Sequence, residues 1–318
     1  MIDPSSLTAE ALAKAAVILS VGILLIFSAV ISICVTLCNE ALHDVIGYYM
    51  ISLSTVDLVC SVVIIPTSMY SALVPDWQFM GDNSLLCKCS VYVEVALFAN
   101  TAYTFAWIGV DRYAALMKPQ RYETEQTLTR CKCWIAFSWL TAILLSLPII
   151  VARMRVSYYR PAELCILDWS ATAAYSMTLA VLILLPSVCT IIFTYFSIIM
   201  AIKNIDRLED SQRTLFETDH NFAIAFFVLI TFCLSWLPVV IVRVLPETFL
   251  NPADSATVDF VFVWLAIGGP SSKLLISLFI NQEFRSGLAS TLSCCCLTAS
   301  RQRRLEYRSL SERRNRFS

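Results

Sequence analysis

Seven long apolar runs, separated by short polar stretches, organise this chain. A helix needs about 20 predominantly apolar residues to cross a bilayer. The first run is uncharged from Ala15 to Asn39, the second spans Ile46 to Val74 around Asp57, and the third spans Cys89 to Val110 around Glu94. The fourth is uncharged from Cys133 to Ala152 and the fifth from Trp169 to Ile202, long enough to extend beyond the membrane. The sixth is uncharged from Asn221 to Val242, and the seventh runs from Phe260 to Ile280 with Lys273 inside it. Each run is long enough to span as a helix. The pattern therefore predicts an all-α membrane protein, a seven-transmembrane helix bundle whose short loops place sequence neighbours side by side. The organisation expected is a short outer segment (1–13), the bundle (14–280), an amphipathic helix with a cysteine cluster (281–297) and a tail (298–318).

Composition agrees and narrows the class. The chain is 58% hydrophobic and 15% charged, against roughly 45–50% and 25% for a soluble domain. Disorder needs the opposite balance. A net charge of −1 gives no reason to expect nucleic acid. With 7 glycines and no GxGxxG or GxxxxGK[ST] pattern, no phosphate-binding loop is expected. The first run is too long for a secretory signal and lacks a small-residue cleavage site. Basic residues set the orientation. With the N-terminus outside, sixteen Lys and Arg fall on the inner side, six fall on the outer side and Lys273 stays within the membrane. No internal repeat suggests an inverted-repeat transporter.

The third run ends Asp111-Arg112-Tyr113-Ala114-Ala115-Leu116-Met117-Lys118-Pro119-Gln120-Arg121-Tyr122. This stretch resembles the rhodopsin-like (class A) G-protein-coupled receptors, whose third helix ends DRYxA[IL]xxPxxY. Further resemblances spread over residues 15–297. They include Leu53-Ser54 with Asp57-Leu58, Trp77-Gln78-Phe79, Trp139, Pro186, Ser235-Trp236-Leu237-Pro238 and Asn281-Gln282-Glu283-Phe284-Arg285. Two motifs depart from the family. Ser28-Ala29 stands where the first helix carries GN, and Lys273, Leu274 and Ser277 stand where the seventh carries the N, P and Y of NPxxY.

The resemblance implies a disulfide between Cys87 and Cys165, with Cys89 a rival partner; an outer location permits it. It implies that Asp111, Arg112 and Tyr113 serve G-protein coupling, with Arg112 paired to Asp111 at rest. An acid at the base of the sixth helix often joins that pairing. Thr218 occupies the matching place here, between Glu217 and Asp219. Pro238 below Trp236 forms a kink usable as a hinge. Phe284 and Leu288 share one face of a short eighth helix. Cys294, Cys295 and Cys296 after it are lipidation candidates, beside a basic tail suited to anionic lipid.

Helical spacing adds to this. Glu94 and Arg112 are 18 residues apart, five turns at 3.6 residues per turn. Glu94, Phe98, Thr101, Phe105 and Arg112 therefore form one stripe. Glu94 lies about 10 Å below Cys87, where amine receptors of the family carry a ligand-binding aspartate. An ionisable group at that depth marks a functional site by default; an ion pair with Arg243 is the competing reading. Ligand-binding candidates are thus Glu94, Phe98, Trp236 and Arg243. The other positions of an amine site hold Val263, Ile267, Thr178 and Leu182, an unconvincing set. Asp57 occupies the family's sodium-binding position, near Thr101. Lys273 either pairs with Asp57 and replaces the sodium, or snorkels to the inner interface.

These readings favour a plasma-membrane receptor, N-terminus outside, that binds a small cation, a peptide or a lipid and activates a heterotrimeric G protein. No nucleophile–base pair, metal cluster or cofactor motif suggests an enzyme. The rival readings are a transporter or ion pathway using Asp57, Glu94 and Lys273 as a relay, and a receptor-like scaffold that does not signal.

Overall fold

A computed structural model describes residues 8–74, 81–125, 127–204, 212–213, 219–244 and 252–293. Seven helices in it are long and apolar enough to cross a membrane. The spans, in order, are Ala9–Cys38, Val45–Leu73, Leu85–Met117, Leu128–Val151, Ala173–Lys203, Asn221–Val244 and a two-part seventh from Pro252 to Ile280. An eighth helix covers 282–293. One end of the bundle carries the Cys87–Cys165 disulfide (the disulfide end) and the other carries Arg112 (the arginine end).

Hydropathy located every span, but caps and prolines set the ends. The third span starts at Leu85 because Ser84 Oγ accepts the Cys87 N–H at 3.2 Å. It stops at Met117, just before Pro119, which opens a short helix, Pro119–Glu125. The apolar run assigned to the fifth span begins four residues too early. Asp168 Oδ1 accepts from Ser170 Oγ (2.7 Å), Ser170 N (3.1 Å) and Ala171 N (3.1 Å), closing a turn before the helix begins at Ala173. These bonds, the Ser170 hydroxyl's first, hold the Asp168 carboxyl below the usual carboxylate range. Within this span Ala180–Leu184 form a π-helical turn just before Pro186. Proline offers no N–H to the ladder, and the slipped register accommodates that loss. Tyr103 on the third span donates to the Leu182 carbonyl in this turn at 3.0 Å.

The seventh span begins at Pro252, eight residues before its apolar run, and carries a 3-10 turn at Gly269–Ser271. Gly269 is required there: a Cβ would lie 2.3 Å from the Ser235 Cβ of the sixth span. Ser28 Oγ donates to the Ser271 carbonyl in the same turn at 3.1 Å. A serine at the departed first-helix position thus ties the first span to the seventh.

One element was not foreseen. Val156–Tyr159 (β1) and Leu164–Leu167 (β2) pair antiparallel with Tyr158 opposite Cys165. The Cys87–Cys165 disulfide staples this hairpin to the third span, and Cys89 is a free thiol. Further tethers fasten it. Trp264 Nε1 donates to the Ala162 carbonyl at 3.1 Å, Tyr159 to Asp259, the Tyr158 hydroxyl shares a hydrogen bond with Ser71 of the second span at 2.5 Å, and Lys14 pairs with Glu163 at 3.4 Å. With four residues per strand, the hairpin carries too few alternating positions to stand out among apolar runs.

Between the spans, buried Tyr49, Leu53, Phe105, Ile108, Ile224 and Val228 form the largest core cluster. Trp139 Nε1 donates to Ser52 Oγ at 3.0 Å, joining the fourth span to the second. Large apolar side chains such as Phe27 and Phe193 (both 59% exposed) cover the outer surface. That surface suits hydrocarbon rather than water. Phe284 and Leu288 of the eighth helix pack on Val35, Leu42 and Leu274, as their spacing implied. Trp77-Gln78-Phe79, Cys294, Cys295, Cys296 and the basic tail lie outside the described residues.

Candidate functional site

Three clusters lie along the bundle between the two ends. Nearest the disulfide end is a cavity of about 550 Å³, within the range typical of small-ligand sites. Its walls include Glu94, Phe98, Thr101 and Phe105 from the third span, so these four residues of the predicted stripe face one space, while Arg112 lines a separate one. Val263 and Ile267 also line it; Thr178 and Leu182 are not among its lining residues. Leu164 and Ile166 of β2, with Trp169 after it, contribute from the hairpin side. These three belong to the site because the disulfide and tethers hold the hairpin over the bundle. No sequence motif marks them.

Glu94 Oε1 is buried and has no hydrogen-bond partner among the described residues. The Arg243 side chain, the rival partner, lies outside them. Trp236 Nε1 is likewise buried without a partner. An unpaired carboxylate in an apolar surround is strongly unfavourable, so a cationic or hydrogen-bonding occupant is favoured there. Phe98 meets Trp236 edge-on at 5.9 Å, and Trp236 contacts Phe232 at 6.2 Å, which meets Phe105 at 5.0 Å. This aromatic chain leads from the cavity toward the arginine end. Pro238 lies inside the sixth span, two residues beyond Trp236.

At the cavity floor Lys273 Nζ donates to Asp57 Oδ2. The two residues are 5% and 4% exposed, so Lys273 is buried against its partner and does not reach the interface. Thr101 lines the same cavity and returns its hydroxyl to the Leu97 carbonyl at 2.8 Å. An ammonium therefore occupies the space beside Asp57.

Arg112 lies at the other end, 4% exposed. Its Nε and Nη2 donate to Asp111 Oδ2 at 3.0 and 2.6 Å, and its Nη1 donates to Asp219 Oδ2 at 2.7 Å. Tyr122 bridges the cluster: it accepts from Arg112 Nη2 and donates to Asp111 Oδ1, both at 3.2 Å. The Phe222 ring lies 5.2 Å from the guanidinium carbon. Tyr113 points away and packs on Phe193 of the fifth span, ring centroids 5.5 Å apart. Asp219 thus supplies the sixth-span acid, one position from the place counted by register. It precedes the first helical residue, Asn221, so helical counting does not govern its direction. Beside Arg112, a further cavity of about 380 Å³ opens between the fifth and sixth spans. Next to this cluster stands Asp44, which precedes the second span. Burial pushes its carboxyl above the usual carboxylate range, against hydrogen bonds from Gly47 and Asn221 that pull it down.

Among the described residues no group of three or more His, Cys, Asp or Glu is placed to hold a metal ion.

The chain matches the sequence profile of the family described as "7 transmembrane receptor (rhodopsin family)" over residues 28–271. It is 26% identical over 283 residues to G-protein coupled receptor 52 of Mus musculus, covering 82% of this chain and 76% of that receptor. It is 21% identical over 282 residues to neuropeptide Y receptor type 6 of Oryctolagus cuniculus, covering 82% and 75%. Among solved structures, squid rhodopsin superposes with a TM-score of 0.74 at 19% identity, over 93% of this chain and 90% of that one.

Proposed function

Because the chain belongs to the rhodopsin family of seven-transmembrane receptors, we propose that it is a ligand-binding receptor of the plasma membrane that activates a heterotrimeric G protein. The N-terminus and the disulfide end face outward, as the distribution of basic residues favours. The ligand enters the cavity above Asp57–Lys273. Arg112 is released from Asp219 when the sixth span swings at Pro238, and the freed arginine end receives the G protein. Binding shifts an equilibrium that exists without ligand.

One observation carries the ligand reading. Asp57 is neutralised by Lys273, while Glu94, which lines the same cavity, has a carboxylate oxygen with no partner among the described residues. Among the described residues Glu94 is thus the cavity acid without a partner, and the ligand that fits it carries a cation on an apolar body. An amine or a peptide N-terminus supplies that chemistry. The Trp236 indole N–H adds a donor for an acceptor group on the ligand.

A screen of cationic amines and peptides against wild type and Glu94→Gln tests this. A hydrogen bond to a charged group contributes about 1.5–3 kcal/mol. A cationic ligand is expected to bind Glu94→Gln at least roughly tenfold more weakly, since 1.4 kcal/mol is tenfold in affinity. A ligand that occupies the cavity with equal affinity for both proteins contradicts the reading. Coupling is tested separately, by nucleotide exchange.

A further inference from the structure

The sixth span is fastened at the arginine end by a second bond, between residues that no sequence motif singled out. Asn221 is its first residue, and Asn221 Nδ2 donates to Asp44 Oδ2 at 2.7 Å. Asp44 is the N-cap of the second span, where its Oδ1 accepts the Gly47 N–H at 2.6 Å. That turn is rigidly specified. A Cβ at Gly47 would lie 2.0 Å from the Leu42 carbonyl oxygen and 2.9 Å from Asp44 Oδ1. The carboxylate is thereby aimed: one oxygen caps the second span and the other faces the sixth.

Asn221 is also joined to the arginine cluster. Its backbone N–H donates to Asp219 Oδ1 at 2.9 Å, while Asp219 Oδ2 takes Arg112 Nη1. The first turn of the sixth span is therefore held to the third span through Asp219 and to the second through Asn221. A small cavity of about 30 Å³, lined by both polar and apolar groups, touches Asp44, Asn221, Ser54 and Lys273. It has room for about one water, and the buried Ser54 hydroxyl beside it lacks a partner among the described residues. The fastening thus borders the same small cavity as Lys273, the partner of Asp57. The sixth span cannot swing away from the second while the Asp44–Asn221 bond is intact.

We infer that Asp44 and Asn221 form a second latch on the sixth span, which together with Arg112–Asp219 sets how often the unliganded protein opens at its arginine end. This rests on the reading of the sixth span as the moving element of a receptor. The two latches act through different partners, so breaking either raises the open fraction on its own.

The test uses full-length protein in lipid nanodiscs with two readouts. One is hydrogen–deuterium exchange of the 219–228 segment, with the first-span segment 18–32 as internal reference. The other is basal GTP exchange on a purified heterotrimeric G protein. Asn221→Ala removes the donor. Asp44→Ser keeps a good helix cap but no longer reaches Asn221. Each is expected to speed deuterium exchange in 219–228 about tenfold, the effect of losing one charge-assisted hydrogen bond, with 18–32 unchanged. Asn221→Asp sets two carboxylates against each other and is expected to exceed both. The reciprocal double variant Asp44→Asn with Asn221→Asp restores an amide–carboxylate pair, and its exchange is expected to return toward wild type. A merely structural role would not give that rescue. Unchanged exchange in Asn221→Ala, or no rescue in the reciprocal variant, overturns the latch. Faster deuterium exchange without GTP exchange in any variant supports the latch and contradicts G-protein coupling instead.

Discussion

Replacing Lys273 by alanine is expected to destabilise the protein by about 3–5 kcal/mol, because it leaves Asp57 charged, buried and unpaired. Asp57 is 4% exposed and its ion-pair partner is Lys273. At roughly 2–4 °C per kcal/mol, the thermal midpoint in detergent should fall by at least about 6 °C. The double variant Asp57→Leu with Lys273→Met removes both charges and keeps most of the volume. It is expected to recover most of the loss, since a buried pair replaced by apolar groups is often neutral. Equal midpoints for wild type and Lys273→Ala would show that the pair is not the partnership the geometry describes. The same pair predicts the response to sodium. With an ammonium beside Asp57, replacing sodium by an equal concentration of a bulky organic cation should leave ligand affinity and basal signalling unchanged. A millimolar, sodium-specific effect abolished by Asp57→Asn would contradict this.

Loss of the disulfide is expected to have a comparable effect. Cys87 and Cys165 are separated by 78 positions. In the chain-entropy treatment, closing a loop of that length contributes about 4.5 kcal/mol. Cys165→Ser should therefore lower the thermal midpoint by roughly 9 °C or more on the same scale. It should also weaken ligand binding, because β2 supplies Leu164 and Ile166 to the cavity. Cys89→Ser, two residues from Cys87, removes a free thiol and should match wild type in both assays. Equal thermal midpoints for Cys165→Ser and wild type would remove the staple from the account.

How much of this was legible in the sequence follows from the range of the forces involved. Membrane spans are set by hydrophobic length, a local property, so all seven were found. Their ends depend on single caps, such as Ser84 and the Asp168 turn, which a hydropathy pattern does not register. The charged positions were informative for the opposite reason. A group that is costly in hydrocarbon needs a counterpart or a route to the interface, so the sequence offered Asp57 as one of two answers for Lys273, and the fold selects it. Periodicity carried Glu94 and Arg112 to one face because the third span is an unbroken helix. It did not place Asp219, which precedes a helix, nor the cavity-facing residues of the hairpin, which are positioned by a disulfide and tethers to three spans. The Ser28–Ser271 bond was hidden for a related reason. It needs the 3-10 turn at Gly269–Ser271, a departure from helical geometry at a glycine packed closely against Ser235.

In the proposed function the arginine end is a gated G-protein contact. Its most direct test is the rate of GTP exchange on purified heterotrimers of each G-protein class, catalysed by the protein in nanodiscs. Wild type is expected to exceed the receptor-free rate and Asp219→Asn to exceed wild type, because the bond from Arg112 to residue 219 loses its ionic partner and weakens. Arg112→Ala is expected to fall to the receptor-free rate at equal folded protein. Receptor-free rates from both wild type and Asp219→Asn with every class, or a wild-type rate that survives Arg112→Ala, would contradict the account.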